Sequence, residues 1–389
     1  MLKTFYIKPH ERGILYHRSD FQKILAPGTH RYLGWNWHVQ TYDLNQPEAK
    51  IDQLELLLQT HGAKLAEHLT IVRTEFDRTR EASALTHQVA LVRIGQSWVI
   101  VSPNQLRAFW RGFIPVEVYN FNLTESLELP AALVEQTRGF SLTGLKRFQI
   151  SESEIGLLYI QRNFVRPLAT GEYAFWSVGK EISCHTLTKT IPNPNFPDED
   201  VLVDRHPEFI AEYCTVAETL AHQVAIIRDR QKPIAILPPC HRKLFWQGVA
   251  VEIIDISNKA KLSERLVAEW VAGSAVMKKI SSEIAALHVQ EVPPQHLGLL
   301  YIDGIFQGQL ESGIHAWWSF NRSFKSNSID LRLQTMEVSG QDILTKDKVP
   351  LRLNLTAGYR ISDPLTASNS LVDINGFLYK ELQFALRGA

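Results

Sequence analysis

The chain has 389 residues, 45% hydrophobic and 21% charged, a composition that is typical of a folded globular protein and excludes extensive disorder. Its 41 Lys and Arg residues are balanced by 41 Asp and Glu residues, so no nucleic-acid partner held by a basic surface is expected. The three cysteines, Cys184, Cys214 and Cys240, are too widely spaced for a disulfide framework or a Cys-x-x-Cys metal clip, and they indicate a reducing cytoplasm. Because no window of about 20 residues is free of charge, no membrane-spanning helix is predicted.

Internal repetition is the most informative feature, and it is clearest in three stretches that begin at Glu11, Glu154 and His296. They read Glu-Arg-Gly-Ile-Leu-Tyr, Glu-Ile-Gly-Leu-Leu-Tyr and His-Leu-Gly-Leu-Leu-Tyr, at offsets of 143 and 142 residues. Repetition of this kind indicates an array of similar structural modules. The positions that match further downstream include Gly28, Gly171 and Gly313, and His30, Tyr173 and His315.

A second, related module lies between these copies. The stretch His87-Gln-Val-Ala matches His222-Gln-Val-Ala, and Phe109-Trp110 matches Phe245-Trp246. The chain therefore contains five modules in the order A-B-A-B-A, which begin near residues 5, 85, 148, 220 and 289.

Periodicity predicts that each module is a small antiparallel β-structure of three to five short strands. A short apolar strand is followed by a polar turn, such as Asp303-Gly304, and by a second strand. Pro27-Gly28 then turns the chain again, with Gly28 expected at positive φ. A module of about 40 residues buries too little surface to fold alone, so the modules are expected to pack on one another or on other copies of the chain.

Residues that recur at one position of the repeat are expected to serve packing or interaction. The recurring tryptophans favour packing between modules, with an exposed ligand-binding platform as the alternative. If the Trp317-Trp318 pair is exposed, it could enter a lipid interface. The expected packing and interaction positions are Gly13, Gly156, Gly298, Gly28, Gly171, Gly313, Trp110, Trp176, Trp246, Trp317 and Trp318.

The connectors between the modules show helical spacing, apart from an irregular Pro-rich stretch at 191–197. The predicted organisation is module 1 at 1–47, a helical connector at 48–82, module 2 at 83–123, a helical connector at 124–146, module 3 at 147–188, a linker at 189–217, module 4 at 218–257, a helical connector at 258–287, and module 5 merging into a further domain at 288–389.

From residue 329 onward the pattern changes. The run from Asp330 alternates with period two, and after a turn at 345–348 a second alternating run predicts another long strand at 349–361. Asp363-Pro364 then supplies an N-cap and a first-turn proline for a helix. The apolar face of this helix is predicted to consist of Leu371, Ile374, Leu378, Leu382 and Ala385.

These C-terminal residues resemble the SPFH domain, which stomatins, prohibitins and flotillins share and which is also called band 7. The resemblance is carried by the strand that starts at Asp330, the Tyr359-Arg360 pair and the Asp363-Pro364 helix, and the module at 289–330 resembles the start of the same domain. Within the family the chain is most similar to bacterial slipins, and its string of modules resembles the layout of the major vault protein. The predicted fold is therefore mainly β with some α (α+β): tandem small antiparallel β-modules followed by a truncated SPFH-type α+β domain.

The resemblance implies a non-catalytic scaffold without a cofactor. Members of the family assemble into large rings or cages and most sit on membranes, so the expected partner is the chain itself, in a ring, tube or vault-like cage. The alternatives are a peripheral membrane-microdomain scaffold, whose partner is a membrane surface, and a ligand- or carbohydrate-binding repeat array. The chain departs from the family pattern in two ways. No membrane hairpin precedes the domain, which disfavours membrane integration, so the expected location is cytoplasmic, with peripheral membrane association as the alternative. The sequence also stops near the first helix of the domain, so either the chain is a fragment or it assembles through its repeats.

Histidine and glutamate positions that recur between modules are interpreted structurally. His30, Tyr173 and His315 share one position, and because tyrosine seldom replaces an imidazole ligand this favours hydrogen bonding over metal binding. Glu117 and Glu252 also coincide, and both are expected on the solvent face of a strand. No phosphate-binding glycine loop, zinc-protease or serine-hydrolase motif is present, so neither an enzyme nor a metal site is predicted.

Overall fold

A computed structural model of the chain describes residues 2–74, 88–257, 260–272, 275–344 and 347–388. The chain divides into two compact units, residues 1–190 and 191–389. Both consist mainly of short antiparallel strands with a few helices, which confirms the predicted mainly β composition. His87, which the sequence matches with His222, lies outside the described residues, as do residues 345 and 346 of the predicted turn.

Three sets of five strands, which we call modules 1, 2 and 3, make up the first unit. Module 1 comprises β1 (Leu2–Ile7), β2 (Glu11–His17), β3 (Asp20–Leu25), β4 (Gly28–Leu33) and β5 (Trp37–Asp43), and helix α1 (Leu54–Ala66) follows it. Module 2 comprises β6 (Leu69–Arg73), β7 (Gln88–Ile94), β8 (Ser97–Val101), β9 (Leu106–Trp110) and β10 (Val116–Asn122), followed by α2 (Ala131–Gln136). Module 3 comprises β11 (Leu145–Ile150), β12 (Glu154–Ile160), β13 (Asn163–Leu168), β14 (Gly171–Trp176) and β15 (Ile182–Thr188).

Two further sets of strands, modules 4 and 5, lie in the second unit with a C-terminal hairpin. Helices α3 (Glu199–Arg205) and α4 (Pro207–Tyr213) precede module 4, which comprises β16 (Cys214–Glu218), β17 (Gln223–Asp229), β18 (Lys232–Leu237), β19 (Arg242–Trp246) and β20 (Ala250–Asp255). Helices α5 (Glu264–Val271) and α6 (Ala275–Glu283) lead to module 5, with β21 (Leu287–Val292), β22 (His296–Ile302), β23 (Ile305–Leu310), β24 (Gly313–Trp318) and β25 (Phe324–Asp330). The chain continues with β26 (Gln334–Leu344), β27 (Pro350–Tyr359), α7 (Pro364–Ser370) and α8 (Ile374–Gly388).

All five modules share one strand topology. The first strand pairs with the fourth in a two-stranded sheet, and the second strand pairs with the third and the fifth in a three-stranded sheet. Every pairing is antiparallel. Modules 1, 3 and 5 are called A modules below, and modules 2 and 4 are called B modules.

The turn between the second and third strands recurs with the same backbone conformation. Both residues have positive φ, 51° and 71° at Arg18-Ser19 and 52° and 78° at the predicted Asp303-Gly304 turn, as a two-residue type I′ hairpin requires. Gly28 has φ of 136°, so the predicted positive φ is confirmed there. Arg18-Ser19 lacks the glycine by which such turns are recognised in a sequence. The pairing of β2 with β3 holds the turn in this conformation without it.

Two strands lie where the sequence analysis predicts connectors. Strand β6 lies inside the predicted helical connector 48–82, and most of β16 lies inside the predicted linker 189–217. Each is the first strand of its module and pairs with the fourth, β6 with β9 and β16 with β19. The helical spacing of the neighbouring residues hides these short strands, whose pairing partners are distant in sequence.

The C-terminal helix is also divided, although its start is as predicted. The Asp363 carboxylate accepts hydrogen bonds from the backbone N–H groups of Leu365 and Thr366, each at 3.1 Å, and caps α7. Leu371 then adopts an extended conformation, and the Asp373 carboxylate accepts a 3.0 Å hydrogen bond from the N–H of Gly376 at the start of α8. The one predicted helix is therefore two, because a second side-chain cap begins a new helix there.

Candidate functional site

Each module encloses a core between its two sheets, and in the A modules a glycine of the second strand allows the sheets to approach. This residue is Gly13, Gly156 or Gly298. A Cβ atom at Gly156 would lie only 2.7 Å from Ile150 Cδ1 and 2.8 Å from Cys184 Sγ. The A modules therefore combine a large side chain at the end of the first strand with no side chain on the second.

The B modules fill the same space with two side chains of intermediate size. In module 4, Ala225 replaces the glycine and Thr219 replaces the isoleucine, and the Thr219 hydroxyl donates to the backbone carbonyl of Pro238 at 2.6 Å. Module 2 shows the same exchange, with Ala90 and Thr74. The two module types thus use different residue pairs for one packing arrangement.

A tryptophan at the end of the fourth strand packs a module onto the preceding one. Trp110 of module 2, Trp176 of module 3 and Trp318 of module 5 are each at most 2% exposed. Each lies in a hydrophobic cluster with the three-stranded sheet of the preceding module and with the connector. Around Trp176, for example, are Leu91 of β7 and Leu133 of α2. These stacking clusters join consecutive modules within each unit.

The connectors also form backbone hydrogen bonds with the strand that carries the tryptophan. The N–H of Trp176 donates to Leu127 O at 2.8 Å. The equivalent bonds run from Trp110 N–H to Pro47 O at 2.8 Å and from Trp318 N–H to Ala260 O at 2.7 Å. Each connector therefore satisfies backbone groups at the edge of the next two-stranded sheet.

Trp246 of module 4 is covered by the irregular segment 191–197. Its ring lies 4.8 Å from that of Phe196 in an edge-on arrangement, and its backbone N–H donates to Pro192 O at 3.0 Å. The segment has no regular secondary structure, as predicted, but it supplies a buried aromatic contact for the stacking tryptophan.

Trp317 differs from the other tryptophans that the sequence groups together. It lies one residue before the stacking position and packs inside module 5 with Val292 and Leu300. Trp317 and Trp318 are only 4% and 1% exposed, so the condition under which this pair could enter a lipid interface, exposure of both rings, is not met. Successive residues of β24 point to opposite faces of its sheet, and both faces are buried in the protein.

Module 1 leaves the equivalent stacking face exposed. Its fourth strand ends with Leu33, which is 81% exposed, in place of a tryptophan. The exposed Arg31 occupies the position of the fully buried Ala174 in module 3. We call this surface the front face of module 1 and define it by the exposed residues Leu2, Tyr6, Leu33 and Trp35.

In module 4 an arginine fills the groove between the three-stranded sheet and the connector helix. The side chain of Arg228, only 9% exposed, donates to the two carboxylate oxygens of Glu269 on α5 at 2.6 and 3.0 Å and to Glu252 on β20 at 3.1 Å. The hydrogen bonds from Arg228 lower the pKa of Glu269 although burial opposes this. Glu252 also pairs with Arg265, so the network joins the helix to the sheet.

Module 2 carries a more exposed version of this arrangement. Arg93 occupies the position of Arg228, lies 3.6 Å from the Glu117 carboxylate and stacks over Trp98 at 5.8 Å. Glu117 and Glu252, expected on a solvent face, are therefore both ion-paired. The sequence carries one signal for this network, which the predictions above missed: arginine recurs at this position in both B modules, as Arg93 and Arg228.

The recurring histidines make the same local hydrogen bond in two A modules. The Nε2 atoms of His30 and His315 each lie 2.8 Å from the backbone oxygen four residues earlier, that of Ala26 or Glu311. This geometry agrees with the hydrogen-bonding role predicted from the repeat. Among the residues that the structure describes, no three His, Cys, Asp or Glu side chains lie close enough together to hold a metal ion.

After module 5 the chain forms a long hairpin covered by α8. Strands β26 and β27 pair only with each other within the described residues, and the Tyr359 hydroxyl lies 2.7 Å from side-chain oxygens of both Gln334 and Asn375. Ile374 and Leu378 of α8 are half-buried, as are Leu382 and its neighbour, whereas Phe377 and Phe384 on the same helix are exposed. None of the described helices is both long enough and apolar enough to cross a membrane.

Comparison with known proteins identifies the C-terminal part. Residues 290–389, which include most of module 5, the β26–β27 hairpin and both following helices, match the model of the SPFH domain / Band 7 family. The match confirms the SPFH domain predicted from the sequence and includes most of the module that leads into it. No curated protein matches the chain.

Proposed function

We propose that the chain is a non-catalytic scaffold that associates with copies of itself through its SPFH domain and its β-modules, into a ring, tube or cage. Within each unit the recurring residues pack consecutive modules onto one another, so the modules form an array. A repeated interface of this kind builds an extended surface for partners.

The observation that carries the proposal is a stripe of exposed aromatic residues on α8. Phe377 and Phe384 are 44% and 64% exposed and lie seven residues apart, so they project from the same side of the helix about 10 Å from each other. A heptad spacing of large apolar residues on an exposed helix face is typical of helix pairing between chains. Val372, two residues before α8, and Leu333, directly before β26, are exposed as well.

Light scattering tests this proposal with a matched pair of variants. We expect the wild-type chain to have a mass several times its 44.3 kDa and the Phe377→Ser/Phe384→Ser variant to fall towards that single-chain mass. The control variant Leu220→Ser/Ile253→Ser removes two exposed apolar residues of module 4 and should keep the wild-type mass. Equal masses for all three proteins would contradict the assignment of the interface.

A second candidate function, a peripheral scaffold on a membrane surface, is favoured by the front face of module 1. This face exposes Leu33, Trp35 and Tyr6, and residues 2–43 carry six Lys or Arg against three Asp or Glu, a net charge of +3, although the whole chain is neutral. Aromatic and apolar residues beside basic residues are typical of surfaces that bind anionic lipids.

Sedimentation with vesicles separates this candidate from the first. We expect the wild-type chain to bind vesicles of phosphatidylcholine with about 30% phosphatidylserine, and Leu33→Ser/Trp35→Ser to lose most of that binding. The Phe377→Ser/Phe384→Ser variant is the control for an effect of assembly alone. If the wild-type chain stays in the supernatant, the membrane candidate is rejected while the self-association proposal stands.

A further inference from the structure

Module 1 contains an open groove of about 1020 Å³ between its three-stranded sheet and helix α1. Aromatic rings form part of the lining: the Tyr16 ring lies 6.5 Å from that of Phe21, and the His61 ring lies 5.0 Å from Phe21. Helix α1 departs from helical geometry at His61, with φ of −131° and ψ of 23°, which breaks its regular course beside the groove. The volume is that of a site for a small ligand.

The same place in the B modules is filled by the protein itself. Tyr16 occupies the position of Arg228, and the arginine of module 4 is held there by Glu252 and Glu269. In module 2 the position is Arg93, which stacks on the buried Trp98. The groove of module 1 therefore corresponds to the place that an arginine side chain occupies in modules 2 and 4.

Four polar side chains of this groove have no protein partner among the described residues. His38, Gln40, Asp52 and Lys64 line it, and none of their side chains forms a hydrogen bond or ion pair with another residue that the structure describes. The Asp52 carboxylate is close enough to Tyr16 that, after the larger effect of burial, its charge helps to raise the pKa of the tyrosine. Donors and acceptors that converge on one cavity and lack protein partners are characteristic of ligand sites.

The charges of the groove indicate which ligands it suits. Arg18 and Lys64 balance Asp20 and Asp52, so the lining has no net charge to attract an anion or a cation. Carboxylates accept, lysine donates, and glutamine and histidine do both, which matches hydroxyl groups that donate and accept. The partly apolar lining, which includes Leu56 and the aromatic rings, matches the C–H faces of a sugar ring.

We propose that the groove of module 1 binds a neutral polyhydroxylated ligand, a mono- or disaccharide, between Tyr16 and α1. The binding site is independent of the scaffold function, because the groove does not include the front face or the α8 stripe. Module 5 has a smaller groove of about 470 Å³ at the equivalent place, across which the Tyr301 hydroxyl donates to Asn369 of α7 at 3.3 Å. This partly closed groove serves as an internal comparison.

Ligand-detected NMR and titration calorimetry test the proposal on the full chain, with glucose, maltose and N-acetylglucosamine as probes. We expect at least one probe to bind with a dissociation constant below about 10 mM. Asp52→Asn and Gln40→Ala, which change exposed or half-buried polar side chains, should weaken that binding at least about ten-fold. Tyr16→Arg, which introduces the residue of the B modules, should abolish it by occupying the groove.

The matched control is Asn327→Ala in module 5, at the position equivalent to Gln40. This variant should bind the probe within about two-fold of wild type, because it changes only the groove of module 5. That groove is about half the size of the groove in module 1 and is partly closed. Binding that Asn327→Ala removes and Asp52→Asn leaves intact would overturn the placement in module 1. Absence of binding for all three probes would overturn the assignment to saccharides.

Discussion

The A and B modules share one strand topology but differ in two linked places, the inner core and the groove beside the connector helix. In the core, the A modules combine glycine with a large residue, as in Gly156 and Ile150, whereas module 4 combines Ala225 with Thr219. In the groove, Tyr16 of module 1 leaves a cavity, whereas Arg228 of module 4 closes the corresponding space. The difference shows that the strand pairing tolerates exchanged side chains, and that the groove is the part of the module free to change its role.

The largest expected effect concerns the stacking position. Trp176→Ala removes a fully buried ring and should lower the free energy of unfolding of the first unit by about 3–5 kcal/mol. Leu33→Ala, at the equivalent but exposed position of module 1, should change it by less than about 0.5 kcal/mol. Urea unfolding followed by tryptophan fluorescence and circular dichroism measures both. Similar losses for the two variants would contradict the assignment of the tryptophan as the stacking residue.

The arginine network gives the next largest effect. Glu269→Gln leaves the buried Arg228 with only one carboxylate partner, and we expect a loss of about 2–3 kcal/mol in the free energy of unfolding of the second unit. Glu117→Gln disrupts the more exposed pair in module 2 and should cost less than about 1 kcal/mol. If thermal or urea unfolding gives the same loss of free energy of unfolding for both variants, the arginines of modules 2 and 4 are held equally strongly, which contradicts this account.

The core exchange is tested by a double-mutant cycle in module 3. Gly156→Ala alone should cost about 1–3 kcal/mol, because its Cβ would contact Ile150 and Cys184 at 2.7 and 2.8 Å. Adding Ile150→Thr introduces the pair found in the B modules and should recover part of that loss, a positive coupling of at least about 0.5 kcal/mol. Strictly additive losses would show that the two residues do not share one packing space.

The smallest effect is a dependence on pH. Since the folded state lowers the pKa of Glu269 below its ordinary value of 4.5, the associated stabilisation is complete above that pH and is lost as the pH falls below it. Wild type should therefore lose part of its advantage over Glu269→Gln as the pH falls below 4.5. Urea unfolding at pH values on both sides of 4.5 measures this, and a constant difference would contradict it.

The sequence predicted the repeat, its β-structure and the SPFH domain, because periodicity and recurring residues are local signals. It did not locate β6 and β16, which are defined by pairing with strands distant in the chain. It also grouped Trp317 with Trp318, although adjacent residues of a strand face opposite sides. The groove of module 1 could not be predicted, because it depends on where α1 lies against the sheet.

Sedimentation velocity of the full chain over a wide concentration range tests the central claim, self-association of the scaffold, most directly. The account predicts species much larger than the 44.3 kDa chain, whose fraction rises with concentration and falls in the Phe377→Ser/Phe384→Ser variant. A single species of 44.3 kDa at every concentration would contradict it.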